Sequence, residues 1–283
     1  MLINSEIQLR KYLPNAFATV EGEVSLYDKL EPYLREAQTW MINSITGKEC
    51  ITQLTEEADD NAAKAEACRV MTCDALMHAI PALDVVLTPN GFGVVSNQNI
   101  APASKDRVQR LIDSIEMQRD DAIMHLMKYL RSNRLWLESQ IFRIWSKTLL
   151  PDIAITTQLG IRDHQFSAYL SLMPRIIQIE AMLAAEFISP ELLDHLHKYQ
   201  FGIGFAAMSP AEKAGRAYVL THLRTEIVSQ LGGAPLNRTF MNDLVQMIRS
   251  EPDLFPQWRD SATALLFTPD VFKNKKNANG YFF

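Results

Sequence analysis

Few residues in this chain are spaced for chemistry. The one close histidine pair is His195-Leu196-His197, after Asp194. Positions i and i+2 of a helix point to different sides, so the pair is poorly placed to share one metal ion. It follows a Ser189-Pro190-Glu191 helix start and reads as a surface helix end with favourable dipole contacts, not as a zinc site. His78, His125, His164 and His222 have no acidic or cysteine partner at metal spacing. Gly91-Phe92-Gly93 and Gly202-Ile203-Gly204 lack the third glycine and the strand–helix context of a dinucleotide site, so backbone turning is the expectation for both. There is no Gly-Lys-Ser/Thr loop and no Gly-x-Ser-x-Gly elbow. The run Glu56-Glu57-Ala58-Asp59-Asp60 lacks the alternating ligands of a calcium loop and reads as helix amino-terminal charge. Asp120-Asp121 reads as solvent-facing. The expectation is therefore no catalytic residue, no cofactor and no metal site. An enzyme reading would have to place a pocket between helical lobes, with Arg162, Asp163, His164 and Glu180 as its polar groups.

The chemistry that stands out is that of contact. Asp84-Val85-Val86-Leu87 and Phe92-Gly93-Val94-Val95 are short apolar, β-branched runs, and Pro89-Asn90-Gly91 between them has the composition of a tight turn. This predicts a β-hairpin near residues 84–96. An isolated hairpin is marginal in water, so it must lie on helices or pair with another chain. Val85, Val86, Asn90, Phe92, Val94, Val95 and Asn97 are the expected partner-binding residues, with the connector Asn97 to Ser104 beside them. The end of the sequence adds three more. A polar stretch, Lys273 to Gly280, leads to Tyr281-Phe282-Phe283. Burial of each aromatic is worth roughly 1.5–3 kcal/mol. They either tuck onto their own domain or form a peg in a neighbouring subunit.

The elements that position these residues read as helices. Ser5-Glu6-Ile7-Gln8 has the capping-box spacing for a short helix to Tyr12. Leu26 to Ile45 carries an amphipathic stripe that stops at Gly47. A helix from Asn61 to Ile80 is expected to end at Pro81, and a long one from Lys105 to Arg131 to start at Ser104. Arg134 to Leu149 continues as a further helix, and Pro151 closes the half. Later come Leu170 to Phe187, a helix from Ser209-Pro210-Ala211-Glu212 to Gly232-Gly233, and Phe240 to Ile248. Leu30, Pro32, Leu34, Trp40, Met41 and Ile45 align with Leu172, Pro174, Ile176, Met182, Leu183 and Phe187. Lys64-Ala65 and Val70 align with Lys213-Ala214 and Val219. Duplication and the common periodicity of amphipathic helices both account for this.

The totals fit a globular chain. Of 283 residues, 47% are apolar and 22% charged, so a full core is within reach. The net charge of −5 divides as −4 over residues 1–150 and −1 over the rest, which lacks the basic excess of general nucleic-acid binding. Arg131, Arg134, Arg143 and Lys147 read as a solvated face. Cys50, Cys68 and Cys73 are an odd set without metal spacing and read as small buried side chains. The first residues lack a signal-peptide pattern, and no apolar run reaches membrane-spanning length. The expected location is the cytoplasm, or a virion assembled there.

Residues 6–50 carry a resemblance. Gln8-Leu9-Arg10-Lys11-Tyr12-Leu13, an acidic spacer, Leu30 to Ala37 and Ile42-Asn43-Ser44-Ile45-Thr46-Gly47 resemble the start of phage head–tail connector (adaptor) proteins. Asn90 to Lys105 resembles an uncharacterised family of prophage-like regions. Together the likeness covers residues 1–130; the chain is far longer than a typical adaptor. The resemblance implies a ring-forming protein between portal and tail and carries over no catalytic residue. The expected fold is mainly α: an amino-terminal helical lobe over 1–150 with the hairpin insert, and a carboxy-terminal helical lobe over 151–283 with an aromatic tail. The expected role is non-enzymatic assembly through protein subunits, by self-association into a ring or by a portal or tail neighbour, without membrane or sequence-specific nucleic acid. The alternatives are the helical enzyme above and an intracellular peptide-binding scaffold.

Overall fold

The computed structural model describes residues 1–13, 25–83 and 104–268, together with the backbone of 85–88 and 91–94. The described residues are mainly α-helical. Ser5 accepts a 3.4 Å bond from the Gln8 amide and opens α1 (Glu6–Arg10), which ends two residues before Tyr12, the end its pattern suggests. The Gln8 side chain accepts from the Asn4 amide instead of returning to the cap. Ser25 caps α2 (Leu26–Met41), whose Leu30, Leu34, Ala37 and Met41 are buried. Here the expected single helix to Ile45 changes form: Ile42–Thr46 is a π-turn, closed by Gly47 at φ +76, whose N–H bonds to Ile42 O at 3.0 Å. α3 (Lys48–Glu56) follows.

α4 (Ala62–Leu83) starts at Asn61, whose side chain accepts from the Lys64 amide. It keeps Pro81 inside its last turn and does not stop ahead of it. Proline lacks an amide hydrogen, so it removes only one hydrogen bond there. A two-stranded antiparallel ribbon follows, β1 (Val85–Thr88) with β2 (Gly91–Val94), in the register Val85↔Val94, Val86↔Gly93, Leu87↔Phe92 and Thr88↔Gly91. Residues 89–90 lie outside the described residues. α5 (Lys105–Leu130) returns along α4. The next expected helix is divided: Ser139 breaks the run and caps a second turn, giving α6 (Arg134–Leu137) and α7 (Gln140–Trp145). α8 (Ala154–Gln158) and α9 (Gln165–Leu183) come next.

The chain divides into two units between Arg175 and Ile176, inside α9. The sequence places its boundary at Pro151. Residues 151–175 join the first unit because their aromatics complete its core. Tyr169 stacks on Trp145 with centroids 5.4 Å apart, and Phe166 meets Trp40 edge-on at 5.4 Å.

In the second unit, α9 ends in a π-turn, Ala184–Ile188, closed by Ser189 at φ +74. Then come α10 (Pro190–Tyr199), α11 (Pro210–Leu231), α12 (Arg238–Ser250), α13 (Pro256–Arg259) and α14 (Ala262–Leu265). Ser209 and Glu212 form the capping box of α11 with both reciprocal bonds.

These elements repeat those of the first unit in order. A proline-containing helix, a five-residue π-turn and a left-handed residue lead into a short helix, at Ile42–Gly47 and again at Ala184–Ser189. α4 and α11 are both 22 residues long and match end to end, one residue out of the register that pairs Lys64 with Lys213 in sequence, so that Asp74 corresponds to His222. Trp136 donates its indole N–H to Ile45 O at 2.7 Å, and Trp258 donates to Phe187 O at 2.7 Å. Ser139 Oγ donates to Trp136 O, as Ser261 Oγ donates to Trp258 O. The buried Arg119, Ala122, Ile123 and Leu126 of α5 match the buried Met241, Leu244, Val245 and Ile248 of α12. Amphipathic periodicity produces matching stripes, but not matching π-turns locked by matching tryptophans, so the chain is a tandem pair of one helical array. The copies differ at one junction. Leu231 to Arg238 is a short link, whereas the corresponding stretch of the first copy, 84–115, holds the ribbon and the first half of α5.

Candidate functional site

Two features of the first unit are not demanded by the repeated fold. The first is this insertion. Val85 and Val86 lie on β1, Phe92 and Val94 on β2, paired as above; their side chains are not described. Asn90, Val95, Asn97, Tyr281, Phe282 and Phe283 lie outside the described residues. The helix ends that carry the ribbon are apolar and incompletely covered. Leu83, on the last turn of α4, is 46% exposed. Val108, Leu111 and Ile112 of α5 are only half-buried, and no residue of 104–114 is fully buried. Ser104 stands at the start of α5 without a side-chain capping bond.

The second feature is a buried charge cluster. Arg119 projects from the apolar stripe of α5 and is 6% exposed. Its guanidinium donates to Asp120 Oδ1 at 3.0 and 3.1 Å, to Glu116 Oε1 at 3.2 Å and to Asp74 Oδ1 at 3.3 Å. It also lies 5.6 Å from the Trp40 ring and 5.9 Å from that of Phe166. Three carboxylates thus surround one cation. Glu116 pairs in addition with His164, which stands at φ 52 where α9 begins. The second oxygen of Asp120 accepts the Phe166 amide at 3.0 Å, so a buried carboxylate caps α9 from another helix. Asp120 is therefore not solvent-facing, in contrast to its sequence reading, while Asp121 is exposed. Burial holds the Asp74 carboxyl above the usual range; Arg119 and His78 pull the other way. A cavity of about 350 Å³ opens beside this group.

The sequence could have exposed the cluster. Arg119 and Asp120 fall between Ile115 and Ala122 on a helix, where a stripe spaced by three and four residues runs through position 119. The second copy has Met241 there, and Gln178, Met182 and His222 where the first has Glu36, Trp40 and Asp74. The repeated array is built without the carboxylates, so they serve something particular to the first unit.

The other candidates have separate partners. His195 accepts from Arg216 Nε at 2.7 Å, and burial together with that cation lowers its pKa. His197 bonds to Glu180 at 2.8 Å. The two histidines thus diverge along α10, each partly enclosed by its own partner, and His197 lies with Lys198 in the last turn, the helix end expected of it from sequence. Arg162 and Asp163 are exposed, His164 belongs to the Glu116 pair, and Glu180 to His197. Asn61, not the acidic run, caps α4; Asp59 instead pairs with Lys64 at 3.1 Å. Arg131 pairs with Asp152 and Arg134 with Glu138. Gly202 and Gly204, at φ +74 and +86, turn the chain after α10. The three cysteines are free and buried. Among the described residues, no set of three His, Cys, Asp or Glu side chains is placed to hold a metal ion, and no helix is long and apolar enough to cross a membrane.

A family of unknown function (DUF6712) matches residues 20–143. The matched stretch runs from ahead of α2 to the fourth residue of α7, nearly the whole first copy of the array, and stops short of the second. No curated protein and no solved structure matches the chain.

Proposed function

We propose that this protein is a non-enzymatic assembly component of a phage or prophage particle, a double-length relative of head–tail connectors that joins subunits through the ribbon of its first unit. The observation that carries this reading is the insertion over 84–115. The second copy closes the same junction with a short link, so the array does not need the ribbon to fold. A two-stranded ribbon has two open edges, and an open edge offers backbone donors and acceptors to a strand of another chain. The half-covered apolar residues at the helix ends beside it, Leu83, Leu111 and Ile112, add the area that such an interface buries. Head-to-tail contacts of this heterologous kind close rings when the rotation between subunits allows. The resemblance of residues 6–50 and 90–105 to connector and prophage sequences supplies the setting, between portal and tail.

The test exploits the repeat. Residues 84–115 are replaced by Gly-Gly-Ala-Pro-Leu-Asn, the link at 232–237 of the second copy. Sedimentation velocity at high micromolar concentration is expected to give oligomers for the natural chain and monomers for the replacement, with helical circular dichroism retained. Equal association of the two chains, or a natural chain that stays monomeric, counts against the proposal.

A further inference from the structure

The cavity beside the charge cluster has the chemistry of a receptor. It is lined by Glu36, Trp40, Asp74, Arg119, Phe166 and Leu170, among others, all in the first unit. Asp74 is the informative wall. Its side chain is 5% exposed, Oδ1 is taken by Arg119, and Oδ2 receives no hydrogen bond among the described residues. His78 stands 3.7 Å from Oδ2, but its Nδ1 makes its hydrogen bond, at 2.8 Å, with the Asp74 carbonyl oxygen. One oxygen of a carboxylate that lines the cavity thus has no donor from the described residues and can accept from a ligand there.

Charge and shape define that donor. Arg119 is already engaged by three carboxylates, so its own charge is more than offset, and the exposed Glu36 adds another negative group at the lining. A cation is therefore favoured and an anion opposed. The walls include two aromatic rings that already hold one guanidinium, that of Arg119, at 5.6 and 5.9 Å. Flat aromatic faces beside a carboxylate suit a planar, forked cation better than a compact ammonium. The volume, about 350 Å³, takes one long side chain and no large ligand.

We infer that this cavity binds the guanidinium of an arginine presented by a partner protein, seated against Trp40 and bonded to Asp74 Oδ2, with Glu36 at its rim. The inference goes beyond the ribbon proposal and does not depend on it. Gln178, Met182, His222 and Met241 at the matching positions give the second unit no such site.

Nα-acetyl-argininamide titrated into the full-length protein tests this, with the neutral isostere Nα-acetyl-citrullinamide as control. The readout is the Trp40 indole N–H resonance, identified by its loss in Trp40→Phe. The expected result is a saturable shift with the arginine compound and at least about tenfold weaker binding of the citrulline compound, since the charge is what the carboxylates read. Glu36→Lys, on the exposed face of α2, is expected to weaken binding to a similar degree with unchanged melting, and Asp74→Asn to abolish it. Absence of a saturable shift, equal response to citrulline, or full binding by Glu36→Lys overturns the inference. The measurement is made on the dispersed protein, so its failure leaves the ribbon proposal standing, and failure of the ribbon proposal leaves this one.

Discussion

Burial sets the reactivity of single side chains in this protein. Cys50 and Cys68 have thiol pKa values pushed up to about 11, and Cys73 to about 12, in each case mainly by desolvation. The thiolate is the reactive species, so all three are expected to resist an aromatic disulfide reagent at pH 8 in the folded chain and to react together on unfolding. Native-state labelling of one thiol at the rate of a free thiol would refute this. Asp74 gives a pH signature. Its folded pKa lies above the unfolded one, so the fold holds its proton more tightly; the associated stability is present below the ordinary carboxylate range and is lost as pH rises through the raised value. Asp74→Asn removes that titration. The melting temperature of the variant relative to the natural protein is therefore expected to rise from acid to neutral pH, and a fall would show that the Arg119 ion pair outweighs desolvation.

At the scale of elements, the two π-turns and their tryptophans are the corners of each array. Trp136→Phe and Trp258→Phe each remove a buried N–H donor and leave a backbone carbonyl, of Ile45 or Phe187, unpaired. Each is expected to lower stability by about 1–3 kcal/mol in denaturant titration. Gly47→Ala is expected to cost about 1–3 kcal/mol as well, because a side chain at its positive φ is strained. The new Cβ would also stand 3.3 Å from Ser139 Cβ. Unchanged midpoints would mean that the corners carry no stability. Much of this scale was legible in sequence. Ser5, Ser209 and Gly47 mark real helix ends, and the paired prolines Pro32 and Pro174 mark the repeated helix. The π-turns were not legible, because each is the last turn of its helix and leaves no further stripe for the extra residue to rotate. Neither was the break at Ser139, where capping outcompetes a continuous pattern of Leu135, Trp136, Ile141 and Phe142. Asp74 was not legible as part of the charge cluster, because it reaches Arg119 of α5 only through the packing of α4 against α5.

At the scale of the whole molecule, duplication separates what the fold requires from what it carries. Features common to both copies, the corners, caps and apolar stripes, are accounted for by stability. Features of one copy, the ribbon over 85–94 and the carboxylates around Arg119, are where function is proposed to lie. The family match over 20–143 falls on the copy that bears both. If the ribbon edge joins subunits, as proposed, amide hydrogen exchange of 85–88 and 91–94 before and after assembly reads it most directly. Strong slowing of exchange is expected at these amides in the assembled state, beyond that of α12 in the same chain. Assembly with exchange at the ribbon unaltered would contradict it.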